Sequence, residues 1–169
     1  MATLYELTIP FLIKALKAEQ HLISKAESFG TVPVNELLES RLAPDQWPLS
    51  QQFVISALHA ASAVAKLTGA TPNNINFGPA SLEDSKKYLA ETIALLETVK
   101  PESVNGQEEK VVTAMLGANN EPSFKAIDYV QGYLIPNVYF HLTTAYSILR
   151  NKGVPLGKFD FIGGFVKTL

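Results

Sequence analysis

Cysteine is absent from the 169 residues. Disulfides, thiolate zinc sites, iron–sulfur clusters and a cysteine nucleophile are therefore excluded, and the expected compartment is the reducing cytoplasm. Charge is also scarce, at 18% of residues, and nearly balanced, with 14 basic and 16 acidic side chains. Lys86-Lys87 is the only adjacent basic pair, whereas nucleic-acid binding needs a concentrated basic face, so no nucleic-acid partner is expected. No apolar run approaches the ~18 residues of a spanning helix, and the first residues carry Glu6 and no basic segment, so neither a membrane span nor a signal peptide is expected. Motifs for a nucleophile elbow, a zincin helix, a Walker loop and a dinucleotide loop are missing, as is any E-x-x-H pair for a carboxylate-bridged dimetal centre.

What is abundant is apolar surface, at 47% of residues, patterned for helices. Leu4, Phe11, Ala15, Ala18, Leu22 and Ala26 recur on one face of a helix predicted over 4–29, with Lys14, Lys17, His21 and Ser28 opposite and Gly30 as its stop. Pro10 marks a kink or moves the regular start to Thr8. A turn or two follows at 34–40. A second long helix is predicted from Pro48 to Leu67, after a connector whose Trp47 is expected to plug one end of the core. A loop over 69–79 leads to a third helix, capped by Ser81 and Asp84 and running to Val99. Residues 109–126 pattern as a β-hairpin. A fourth helix runs from Ile127 or Asp128 to Lys152, and a glycine- and proline-broken tail is expected to pack across the bundle. The fold class is all-α: one four-helix-bundle domain over 1–169, with a small hairpin before the fourth helix.

Each of the three histidines has a different neighbourhood. His21 lies among lysines and is expected at the surface. His59 belongs to a stripe with Gln52, Ser56 and Lys66, which is either a solvent face or the lining of an internal polar cavity. His141 sits in a stretch without a charged residue from Tyr129 to Leu149, so its ring should be buried and need partners. Pro136 cannot bond the Gly132 carbonyl, which predicts a kink at 132–136 and a free carbonyl near Asn137 and His141. The carboxylates fall on expected surfaces. The ligand-pocket candidates are His59, Asn137, His141, Tyr133, Tyr139 and Tyr146, with His59 and His141 expected to face one shared region. The apolar content also predicts a homodimer.

Three segments, Leu4–Phe11, Arg41–Leu49 and Pro136–Gly163, resemble the family designated domain of unknown function 1993. That family is similar to the DinB/YfiT-like superfamily of four-helix bundles, many of whose members hold a divalent metal on three histidines, one on the second helix and an H-x-x-x-H pair on the fourth. The resemblance implies His59 as the second-helix ligand and His141 as one of the fourth-helix pair, with zinc or nickel as the metal. The third ligand is missing, because Asn137 and Ala145 stand four residues either side of His141. The expected function is a small-ligand-binding or scaffold protein with a degenerate metal site. The alternative is a transferase or isomerase, metal-dependent or histidine-based, acting on a small molecule.

Overall fold

The computed structural model describes residues 2–78 and 80–166. Pro79, counted in the expected loop, and the ends of the chain at residues 1 and 167–169 lie outside the described residues. The elements follow in the order α1 (Leu4–Phe29), α2 (Val34–Glu39), α3 (Leu49–Thr68), α4 (Leu82–Thr98), β1 (Val111–Thr113), β2 (Ser123–Lys125), α5 (Ala126–Asp128), a π-helical turn (Tyr129–Leu134), α6 (Ile135–Asn151) and α7 (Lys158–Ile162). A short 3-10 turn at Pro101–Ser103 follows α4.

Local chemistry sets the helix ends. Thr3 and Glu6 form a capping box at the start of α1, so the helix begins ahead of Pro10, which lies within it. Ser81 and Asp84 cap α4 in the same way. Gly30 and Gly69 end α1 and α3 at φ 67° and 81°, left-handed values that a side chain would disfavour.

Side-chain pairs between helices give their directions. Lys17 reaches Glu97 at 3.0 Å and Lys86 reaches Glu27 at 3.0 Å, so α1 and α4 run antiparallel. Gln52 meets His141 and His59 meets Tyr133, so α3 and α6 also run antiparallel. Phe29, at the end of α1, lies beside Gly153, just past α6, which makes α1 and α6 parallel. By elimination α3 and α4 are parallel. Their connection must then travel back along the bundle, about 25 Å for the 17 residues of α4, and this is why so many residues separate the two helices. The order is up-down-down-up.

One continuous cluster of buried side chains fills the bundle, from Leu12, Leu16 and Leu22 on α1 through Phe53 and Val64 on α3 and Leu89 and Leu96 on α4 to Val138, Leu142 and Leu149 on α6. Burying each large aliphatic side chain contributes roughly 1.5–3 kcal/mol before conformational entropy is subtracted. Ala57, Ala60, Ala61 and Ala63 keep the buried face of α3 thin, and α3 packs extensively on both α4 and α6. The two strands pair antiparallel with Val112 opposite Phe124. The tail lies across α1, with Val154 and Leu156 buried and Phe161 and Phe165 packed on the core.

Three expectations change. Trp47 does not plug the core; it is 54% exposed and packs edge-on against Phe77 at 5.5 Å. Pro44 and Pro48 flank a turn closed by the Gln46 N–H on the Ala43 carbonyl, and that turn leaves the ring outside the core. Glu19 is not on the surface; it is fully buried within the apolar stripe of α1. The proline-driven distortion of the fourth helix takes the form of a π turn, in which the Ile135 N–H reaches back five residues to the Val130 carbonyl. A widened turn accommodates the missing N–H of Pro136 without breaking the helix.

Candidate functional site

The π turn, α3 and the hairpin line a cleft of about 880 Å³. Ile55 and Leu58 of α3 form its apolar wall, and Trp47 and Phe77 close one side. The hairpin contributes Ala114 and Met115, and the π turn contributes Tyr129 and Tyr133. The two tyrosine rings stack at 5.6 Å with 22° between their planes. The Tyr133 hydroxyl donates to the Met115 carbonyl at 2.7 Å, tying the hairpin to the π turn. Asn137 Nδ2 donates to the Tyr133 carbonyl at 2.6 Å, which anchors that turn from the α6 side. Asn137 is thus committed to the Tyr133 carbonyl, one residue along from the Gly132 carbonyl expected to lie free near it.

The α3 stripe divides between two environments. His59, Ser62 and Lys66, at spacings of three and four, line the cleft. Gln52 and Ser56, the next positions toward the start of the helix, are buried and bonded inside the bundle. The Gln52 side-chain amide donates to the Trp47 carbonyl at 2.8 Å, which turns its Oε1 toward His141 Nδ1, 2.8 Å away. An amide oxygen only accepts, so His141 carries its proton on Nδ1 and keeps a lone pair on Nε2. His141 and His59 stack with ring centroids 5.9 Å apart, and Tyr133 meets His59 edge-on at 5.6 Å. Desolvation lowers both imidazoles to about 4, and for His141 the neighbouring His59 adds to the effect. Both rings are neutral at pH 7.

The sequence candidates therefore separate into two groups. His59, His141 and Tyr133 come together, with Asn137 supporting them. Tyr139 faces Phe11 at 4.9 Å and Phe165 at 6.0 Å, and Tyr146 faces Phe161 at 5.9 Å. Those two tyrosines cement α6 to α1 and the tail and do not line the cleft. Helical phase explains the division, since Tyr139 and Tyr146 are seven residues apart on one side of α6 and His141 is on another.

Sequence reasoning missed Trp47, Phe77 and Tyr129 as lining residues, because they come from three separate segments. It also missed Glu19. Its Oε1 accepts the Ser56 hydroxyl at 2.6 Å, its Oε2 has no partner among the described residues, and burial raises its carboxyl well above the usual range. A signal existed, because Glu19 continues the stripe of Leu12, Ala15, Leu16, Leu22 and Ala26.

The donor set does not fit a trihistidine metal centre. Among the described residues no three His, Cys, Asp or Glu side chains cluster as a metal site. Asn137, where a third imidazole would stand, uses its amide on the Tyr133 carbonyl. A tight zinc site takes at least three protein ligands. What the arrangement offers is an apolar cleft with a neutral histidine, a hydroxyl and an ammonium on one wall.

Comparison with known proteins places this geometry. No curated protein matches the chain. The crystal structure of a DinB family member protein from Shewanella denitrificans superposes with a TM-score of 0.85 at 30% sequence identity, covering 98% of this chain and 95% of that one. A family model described as domain of unknown function (DUF1993) matches residues 4–162. With the helical bundle, the hairpin before the last long helix and a match over nearly its whole length, the chain belongs to the DUF1993 family and has a DinB-like fold.

Proposed function

We propose that this protein binds a small, ring-bearing, largely apolar molecule in the cleft between α3, the π turn and the hairpin. The observation that carries the reading is the cleft's size and lining. About 880 Å³ is within the usual range for small-molecule sites, and the walls are aromatic and aliphatic with few polar groups. The neutral state of His59 and His141 supports it, since neither imidazole carries a charge to be desolvated when a ligand enters. Calorimetric titration with naphthalene-2-carboxylate and with its neutral carboxamide tests the reading. One-to-one binding that Leu58→Trp abolishes by filling the cleft is expected. Failure of both probes to bind, or binding that Leu58→Trp leaves unchanged, overturns it.

A second reading, acid–base catalysis of a transfer or isomerisation on the bound molecule, is favoured by one specific feature. The Gln52 bond fixes the His141 tautomer with its lone pair on Nε2, and the ring stacks on His59, the imidazole that lines the cleft. Turnover lost in His141→Gln with unchanged ligand affinity selects this reading. Zinc or nickel would find only His59 and His141 as imidazole ligands, and metal analysis of untagged protein checks for either. Homodimerisation is supported by the exposed Trp47, Phe77, Met115 and Leu116, and light scattering decides it. The absence of cysteine supports a cytoplasmic location. No described helix is long and apolar enough to cross a membrane.

A further inference from the structure

We infer that the cleft selects organic anions, with the Lys66 ammonium receiving the carboxylate of an aryl carboxylic acid whose rings lie against the apolar walls. The inference rests on the cleft reading above and names its ligand class. Lys66 lines the cleft and has no acidic partner within ion-pair distance among the described residues. The other lysines in the interhelical pairs are already matched, as Lys17 is by Glu97 and Lys86 by Glu27.

His59 and Ser62 precede Lys66 on the same face of α3 and line the same wall. A neutral imidazole supplies one N–H and serine one O–H, so the wall gathers three donor groups on a rigid helix. A wholly apolar ligand would strip water from the ammonium and return nothing, which is costly. A carboxylate would replace that water with charge-assisted hydrogen bonds.

The cleft's other charged side chain, Glu121, argues weakly for a cationic ligand. It is exposed, belongs to the loop leading into β2, and already accepts the Thr113 hydroxyl at 3.2 Å. Lys66 stands on a long helix and its N–H donors have no acidic partner among the described residues. The aromatic preference follows from the stacked Tyr129–Tyr133 pair and the edge-on Trp47–Phe77 pair on the remaining walls.

The test compares the same two probes by calorimetry on the full chain at low salt. Naphthalene-2-carboxylate should bind about tenfold or more tightly than naphthalene-2-carboxamide, the scale of one charged hydrogen-bonded contact. Added salt should shrink that ratio. Lys66→Met should bring the two affinities together while leaving the carboxamide within about twofold, the expectation for loss of an anion contact alone. Lys66→Arg should keep the preference, and Lys87→Met, an exposed change on α4, should leave it unaltered. Equal binding of both probes by the unmodified protein, or a preference that survives Lys66→Met, overturns the inference. In that event carboxamide binding that Leu58→Trp abolishes leaves the cleft reading standing. No binding of either probe removes both.

Discussion

His21 and the His59–His141 pair present the same side chain in opposite settings. His21 is exposed on α1, with its Nε2 2.8 Å from Asp160 Oδ1. Asp160 also accepts the Gly157 N–H at 2.7 Å and lies 3.5 Å from Lys25. The backbone donor first and His21 second lower its carboxyl to about 2. That cluster pins α7 to α1 through charge in solvent. The other two rings have no carboxylate beside them. His141 is 7% exposed and satisfied by a neutral amide, and desolvation dominates both rings. Whether a histidine here is a surface tether or a neutral core group depends on its partner's charge and its access to water.

The largest expected contrast is in stability. His141→Ala should cost about 2–3 kcal/mol, because it leaves Gln52 Oε1 without its donor and opens a void. His21→Ala should cost about 1 kcal/mol or less, the range for exposed ion pairs. Urea unfolding at pH 7 measures both, and equal losses would erase the distinction.

Acid should sharpen the same comparison. The folded-state values of His59 and His141 are lowered to about 4, below the unfolded value of about 6.5. Between those limits the unfolded chain takes up protons that the folded chain refuses. Their contribution is present above pH 6.5 and is lost as pH falls toward 4. The double variant His59→Gln/His141→Gln should flatten that part of a stability–pH curve, whereas His21→Gln should leave the decline in place. A wild-type curve that stays level from pH 6.5 to 4 would contradict the neutral assignment.

Glu19 gives the smallest effect and the opposite sign. Its folded-state value is raised, so the proton it retains favours the folded state at low pH and this contribution disappears as pH rises. Glu19→Gln keeps an acceptor for the Ser56 hydroxyl without an ionisable proton. It should stabilise by about 1 kcal/mol at pH 8 and shed that gain toward pH 4, the direction expected when desolvation of a charge is removed. Thermal melts at the two pH values provide the check; a gain independent of pH would mean that packing, and not ionisation, is responsible.

Much of the bundle was legible from short-range chemistry. The capping box at Ser81, the stops at Gly30 and Gly69 and the periodicity of α1 and α3 all act within one or two helical turns. The hairpin was legible from its β-branched run at Val111–Thr113 and the Gly117–Asn120 turn residues, and the burial of His141 because a run without charge has few ways to face water. Trp47 was misplaced and Glu19 overlooked because each depends on what lies opposite. A large aromatic ring reads as core until its proline-flanked segment is seen to run along the outside, and a glutamate reads as surface until a serine from another helix meets it.

By itself the sequence determined helix boundaries, the apolar faces and the shortage of metal ligands around His141, since spacing and side-chain chemistry along one chain are enough for those. Only the tertiary structure decided that α3 and α4 run parallel, that the π turn swings Tyr129 and Tyr133 into a cleft, that Tyr139 and Tyr146 belong to another face, and that Lys66 shares a wall with His59. Each of these depends on the rotation and level of one helix against another. Those are set by the packing of many side chains at once, and no local run of residues encodes them.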